Sequence, residues 1–328
     1  MLPLIWNILL LLIGFTGLIK GADLFVDGSS SLAKIFKVPG VIIGLTIVAM
    51  GTSAPELAVS TSAAITGSNE IALSNVLGSN IFNLLVVLGI CAIICKVPVE
   101  SAILKRDFPV SIIVTLFVLL ATSFHTLTTG EFLKVSVSDN VGMVSRPVGF
   151  ILLALFIGYL VMLIVDAKKH PAEAADEIEA MPVWKSILFI VLGLVLIVVG
   201  GKLVVDSAKF IAAAAGMSET LIGLTVVALG TSLPELVTSI VAAKKGEVGM
   251  AVGNAVGSCI FNIMLILGIS SVIHPFAVNA ASVFDMLILL AVCVVTCIFA
   301  TAGRSLNRWK GMGMVAIYVL DVVYAALR

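Results

Sequence analysis

The chemistry of this sequence centres on two glutamates. Glu56 closes the run Gly51-Thr52-Ser53-Ala54-Pro55-Glu56, and Glu235 closes Gly230-Thr231-Ser232-Leu233-Pro234-Glu235. Each stands in the middle of a long apolar stretch. An ionised carboxylate at the depth of a bilayer centre costs at least ~2.5–3.5 kcal/mol on membrane-insertion scales. No Lys or Arg is predicted at the same depth. Two such charges facing each other need something positive between them, and a bound divalent cation neutralises both.

The flanking residues supply oxygen. Pro55 removes a backbone donor and its ring clashes with the carbonyl of Gly51, four residues back; Pro234 does the same to Gly230. The spacing therefore predicts a broken helix in each copy, with the carbonyls of Ala49, Thr52, Ala228 and Thr231 freed. The hydroxyls of Thr52, Ser53, Thr231 and Ser232 lie within one turn of the glutamates. Ser79 and Asn83, like Ser258 and Asn262, are spaced i, i+4 and share one helix face. The set is carboxylate, carbonyl, hydroxyl and amide oxygen. Hard cations such as Ca²⁺ and Na⁺ take those ligands, Ca²⁺ with ~6–8 of them at ~2.3–2.6 Å. The set has no His, and its one Cys, Cys259, is not repeated, which argues against a soft transition metal.

Other reactive residue types read as structural. Ser53 or Ser232 could be the nucleophile of an intramembrane hydrolase, but no His or Lys is placed to act as base. Cys91, Cys95, Cys259, Cys293 and Cys297 fall in apolar spans without metal spacing and are read as packing. His125, His170 and His274 fall in predicted loops. Asp27 and Asp206 are repeated but lie near span ends, where a solvated or capping role is expected. Lys20 and Lys202 are read as snorkelling to the interface.

The elements that position these residues follow from composition. Of 328 residues, 60% are hydrophobic and 12% charged, with a mean hydropathy of +1.23. A soluble domain carries roughly 25% charged residues. Lys+Arg and Asp+Glu are equal at 19 each, so charge gives no case for nucleic acid as a partner. A membrane helix needs roughly 20 mostly apolar residues. Ten segments qualify, near 4–27, 40–66, 70–95, 106–124, 147–166, 183–207, 219–244, 248–273, 282–302 and 311–327. Runs such as Ile187–Val199 are apolar on every face, as lipid-embedded helices are. The first run has no basic residue before it and exceeds a signal core, so it reads as a retained helix. Residues 125–146 are polar with strand-like alternation, and the charged stretch 167–182 reads as a linker between halves.

A shift of 179 residues superimposes the halves without a gap. Gly44–Glu56 lies over Gly223–Glu235, and Gly78-Ser-Asn-Ile-Phe-Asn83 over Gly257-Ser-Cys-Ile-Phe-Asn262. Between residues 21 and 90 roughly 30 of about 70 positions are identical, which is strong for an internal match. Five spans per half force the second copy to enter the membrane upside down, an architecture of secondary transporters. Lys and Arg divide roughly 13 to 5 between the two sides, with Lys20 voting for neither. That bias places the linker in the cytoplasm and both termini outside.

The two GTS-x-PE blocks and the two G-S-x-I-F-N blocks resemble the α-repeats of the calcium/cation antiporter superfamily, most closely those of its sodium/calcium exchanger branch. The resemblance covers the whole ten-helix plan. It implies an all-α polytopic fold of ten transmembrane helices in two inverted five-helix repeats: residues 1–166 (repeat core 40–95), a cytoplasmic linker 167–182, and residues 183–328 (repeat core 219–273). It implies exchange of several Na⁺ for one Ca²⁺ by alternating access, with the first and sixth helices sliding against the rest. The implied ligands are Glu56, Glu235, Thr52, Ser53, Thr231, Ser232, Ser79, Asn83, Ser258 and Asn262, with carbonyls of Ala49 and Ala228. No enzymatic activity or resident cofactor is implied. Ca²⁺ and Na⁺ are cargo, the bilayer is the partner, and one copy in the cell membrane is the expected functional unit.

Three alternatives stay open. The proton/calcium branch carries a differently worded motif, with Asn and no GTS-x-PE. The potassium-dependent branch and some archaeal exchangers carry Asp where this chain has Asn262, so a potassium requirement is not implied. A cation channel would conduct without a counter-ion.

Overall fold

The computed structural model describes residues 2–67, 69–130, 133–136, 138–171, 180–217 and 228–327. The chain is an all-α polytopic membrane protein. Its helices are α1 (Leu2–Ile35), α2 (Gly40–Thr52), α3 (Ala54–Thr66), α4 (Ile71–Ile94), α5 (Ile103–Thr129), α6 (Arg146–Lys169), α7 (Val183–Ala214), α8 (Leu233–Lys244), α9 (Val248–Ile273), α10 (Ala280–Thr301) and α11 (Arg308–Leu327). Among the described residues, eight helices are long and apolar enough to cross a membrane, and nine spans result if the bent pair α2–α3 counts as one. The expected span 219–244 begins outside the described residues; its described part is a helical turn at Ala228–Gly230 followed by α8. Ile157, Ile164, Val191 and Val195 are exposed. Large apolar patches of this kind need an apolar solvent.

The longest helices, α1 and α7, pack directly on each other. A Cβ at Gly21 would stand 2.8 Å from the Gly193 carbonyl oxygen, and one at Gly28 2.6 Å from that of Ser186. Small residues at such a seam let two backbones touch, the usual device where lipid removes the hydrophobic drive for helix association. The pair leans on the bends that carry the glutamates. A Cβ at Gly51 would meet the Phe25 ring at 2.7 Å, and one at Gly230 would meet Val205 at 2.4 Å. Glycine at these two positions makes room for α1 and α7. α2 and α9 cross as closely, with a Cβ at Gly44 placed 2.4 Å from the Met250 carbonyl oxygen.

Two short antiparallel ribbons tie the ends together. β1 (Val97–Pro98) pairs with β4 (Ser305–Leu306), and β2 (Asn140–Val144) pairs with β3 (Phe276–Asn279) through a bulge between Asn140 and Gly142. Among the described residues, the predicted alternation over 125–146 is therefore a strand only at Asn140–Val144. His125 lies inside α5, which bends at Ser123 (φ −137°, ψ 16°) and runs on to Thr129 instead of ending at 124. Of the linker 167–182, residues 172–179 lie outside the described residues. The five cysteines are free, and Cys91, Cys259 and Cys293 are buried. Asp27 has a partner that sequence did not show: Lys245 Nζ stands 2.7 Å from its Oδ1 and 3.3 Å from Asp23.

One charged cluster locks α5 to α6. Asp107 is fully buried and accepts from Arg106 Nε at 2.7 Å, from Arg106 Nη2 at 3.0 Å and from the Tyr159 hydroxyl at 2.9 Å. Arg106 also reaches Asp166 on α6. A carboxylate at zero exposure persists only with such partners.

Candidate functional site

The second span breaks two residues before its proline. Ser53 leaves the helical region (φ −83°, ψ 10°), and α2 and α3 meet there at 49°. Ser232 does the same ahead of α8 (φ −91°, ψ 5°). The chain then restarts as a helix with Pro in its first turn, where a missing N–H is tolerated. Glu56 and Glu235 thereby fall in the first turns of α3 and α8.

The expectation of a free Ala49 carbonyl is not met. It accepts the Ser53 N–H at 3.0 Å and the Thr52 hydroxyl at 3.4 Å, because the helix runs unbroken until Ser53. Ala228 opens the short turn Ala228–Gly230.

The glutamates are fully buried, and each is held by a serine of the opposite half. Ser53 Oγ donates to Glu235 Oε1 at 2.7 Å, and Ser232 Oγ to Glu56 Oε1 at 3.1 Å. Ser79 Oγ stands 3.4 Å from Glu56 Oε1 and 3.0 Å from Ser232 Oγ. Thr52 donates to Asn254 Oδ1 at 3.0 Å, and Thr231 to Asn75 Oδ1 at 3.4 Å. Asn75 and Asn254 were not singled out from sequence. Each amide also donates to a serine, Ser60 at 3.0 Å and Ser239 at 2.9 Å. Their signal was present: both are repeated at the same offset, and Asn75, Ser79 and Asn83 form one i, i+4, i+8 stripe, as do Asn254, Ser258 and Asn262. Asn83 and Asn262 each open a π-helical turn, Asn83–Val87 and Asn262–Ile266. Such turns are rare and frequent at functional sites.

Around the two glutamates, the unmet hydrogen-bonding capacity is mostly oxygen, with the Asn83 amide nitrogen the one exception among the described residues. Glu56 Oε2, Glu235 Oε2, Asn83 Oδ1, Asn262 Oδ1 and Ser258 Oγ are buried without a hydrogen-bond partner among the described residues. A buried polar atom left unpaired costs about 1–3 kcal/mol, and more if charged. Among the described residues, the buried charged side chains are Glu56, Asp107 and Glu235, so no buried Lys or Arg neutralises the pair. A hard cation satisfies both the oxygens and the charge. Two carboxylates fall short of a three-acid metal cluster, and among the described residues no group of three or more His, Cys, Asp or Glu is gathered.

The sequence profile of the family described as sodium/calcium exchanger protein matches residues 6–165 and 185–327. The chain is 37% identical to CaxA of Alkalimonas amylolytica over 94% of its own length and 95% of that protein. It is 33% identical to the sodium/calcium exchanger MaX1 of Methanosarcina acetivorans, over 97% of both chains. Among solved structures, the sodium-calcium exchanger NCX_Mj soaked with Na⁺ and Sr²⁺ superimposes with a TM-score of 0.81 at 32% identity, over 98% of this chain and 99% of that one. By profile, relatives and fold together, this multi-pass chain belongs to the sodium/calcium exchanger family.

Proposed function

We propose that this protein is a secondary transporter that exchanges Na⁺ for Ca²⁺, with the ions bound between Glu56 and Glu235 at the middle of the membrane. The observation that carries this reading is the pair of buried carboxylates, each with one oxygen tied to the opposite half and the other without a hydrogen-bond partner among the described residues. Thr52, Ser53, Thr231, Ser232, Ser79, Asn83, Ser258 and Asn262 complete the oxygen shell, together with backbone carbonyls of the two bends.

Charge decides the mechanism. The loaded Ca²⁺ site sums to about zero. Na⁺ has a similar size and half the charge, so competition takes more than one Na⁺ across overlapping positions. With three bound, the site is about +1 and transport is electrogenic, at ~2.3 kcal/mol per charge per 100 mV. An empty site leaves −2 in a closing, dehydrated cavity, a barrier that prevents return without cargo. In this reading residues 1–166 and 183–328 are inverted five-helix halves that expose the site alternately to each side. The linker 167–182 is cytoplasmic, both termini face outward from the cell membrane, and one copy suffices.

Purified protein in Na⁺-loaded vesicles tests the reading. ⁴⁵Ca²⁺ uptake should require an outward Na⁺ gradient, respond to membrane voltage and ignore a pH gradient. Glu56→Gln and Glu235→Gln should each abolish it. Uptake driven by protons without Na⁺, or Ca²⁺ current without a counter-ion, would overturn it. Epitope tags at the two ends, probed on intact cells, check the orientation.

A further inference from the structure

The two halves share the ion-site asparagines but not what surrounds them. The position paired with Asn80 across the repeat holds Cys259. Both are fully buried and face each other: Asn80 Nδ2 donates to the Cys259 carbonyl at 3.1 Å, and Cys259 Sγ lies 3.7 Å from the Asn80 carbonyl. Asn80 Oδ1 in turn accepts from Asn262 Nδ2 at 3.0 Å.

This chain of bonds has only one direction. A backbone carbonyl can only accept, so Asn80 must present its NH₂ to Cys259. Its oxygen then points to Asn262, which must answer with its own NH₂. The carbonyl oxygen of Asn262 is left over, buried and unpartnered among the described residues. Asn83 has no equivalent guide. Its Oδ1 and Nδ2 both lack a partner there, and a thiol in the place of Asn80 offers no amide to orient it.

We infer that Asn80 is a positioning residue, which locks Asn262 as an oxygen ligand, and that the ion site is asymmetric: Asn262 is fixed while Asn83 is free to turn. The inference rests on the proposed site between Glu56 and Glu235. Partners of metal ligands commonly change metal affinity by 10–100-fold when removed.

A double-mutant cycle tests it. A carboxylate presents oxygen on either side and needs no orienting, so Asn262→Asp should make Asn80 dispensable. In Na⁺-driven ⁴⁵Ca²⁺ uptake, Asn80→Ala should raise the KM for Ca²⁺ about tenfold in the unaltered chain. It should change KM by less than about twofold in the Asn262→Asp background. If the Ala variant does not fold, Asn80→Leu, which keeps the number and branching of the side-chain heavy atoms without the amide, asks the same question. An equal loss in both backgrounds means that Asn80 only packs α4 on α9, and no loss in either means it does not orient Asn262; both results overturn the inference. Failure of the unaltered chain to exchange Ca²⁺ for Na⁺ overturns the functional reading first, and the inference falls with it.

Discussion

The Ser53 hydroxyl donates to Oε1 of Glu235 at 2.7 Å, although the two residues belong to opposite halves of the chain. Ser232 returns the contact to Glu56 at 3.1 Å. Each bend therefore orients the other's carboxylate. A hydrogen bond to a charged group is worth about 1.5–3 kcal/mol. Ser53→Ala should raise the KM for Ca²⁺ by roughly 10–100-fold. Ser232→Ala should cost less, because Ser79 also approaches Glu56. Initial rates of ⁴⁵Ca²⁺ uptake against Ca²⁺ concentration rank the two.

Ligand linkage gives a test that needs no transport. An ion that binds only the folded state stabilises it by ~2.7 kcal/mol at a hundredfold excess over Kd. Thermal unfolding in detergent should move upward with Ca²⁺ in the unaltered protein. With Glu235→Gln the shift should vanish, since one buried carboxylate and its unpartnered oxygen are gone.

The seam between α1 and α7 should tolerate nothing larger than hydrogen. A Cβ at Gly193 would stand 2.6 Å from the Phe25 amide nitrogen and 2.7 Å from the Gly21 carbonyl oxygen. Gly193→Ala should lower stability by about 1–3 kcal/mol, the usual cost of overpacking. Beyond its own helix backbone, Gly158 on α6 has no described neighbour within 4 Å of its Cβ position. Gly158→Ala should be neutral or stabilising, by up to ~1 kcal/mol of helix propensity. Detergent melting curves of the pair separate packing from propensity.

Asp107 should matter for stability and not for ions. Its removal strands Arg106, which is only 12% exposed, with Asp166 as its remaining carboxylate partner. Asp107→Ala should cost about 3–5 kcal/mol. Tyr159→Phe, which removes one of the bonds, should cost about 1.5–3 kcal/mol. Both should melt earlier while any folded fraction keeps the Ca²⁺ KM of the unaltered chain.

Much of this was legible in sequence. Apolar runs long enough to span lipid mark their own helices, and α4, α6 and α9 fall within a few residues of their expected bounds. Pro55 and Pro234 announced the breaks, but two residues late: a proline disturbs the turn before it, so the chain departs at Ser53 and Ser232. That displacement is why Ala49 keeps an amide partner. Asn75, Asn254 and Asn80 escaped notice because their roles depend on which helix crosses which. No spacing within one helix shows that Thr52 meets Asn254. The Asp107 cluster escaped for the same reason: Arg106 read as a marker of membrane orientation, whereas its partners lie beside it and on α6.

The glycine seam has a mechanical consequence. Backbone touches backbone along α1 and α7, so the two form one stiff strut with little internal give. Phe25 on one member rests on Gly51, and Val205 on the other rests on Gly230. In the proposed mechanism, a push along the strut would therefore reach both bends in a single stroke and load the two halves of the proposed ion site together.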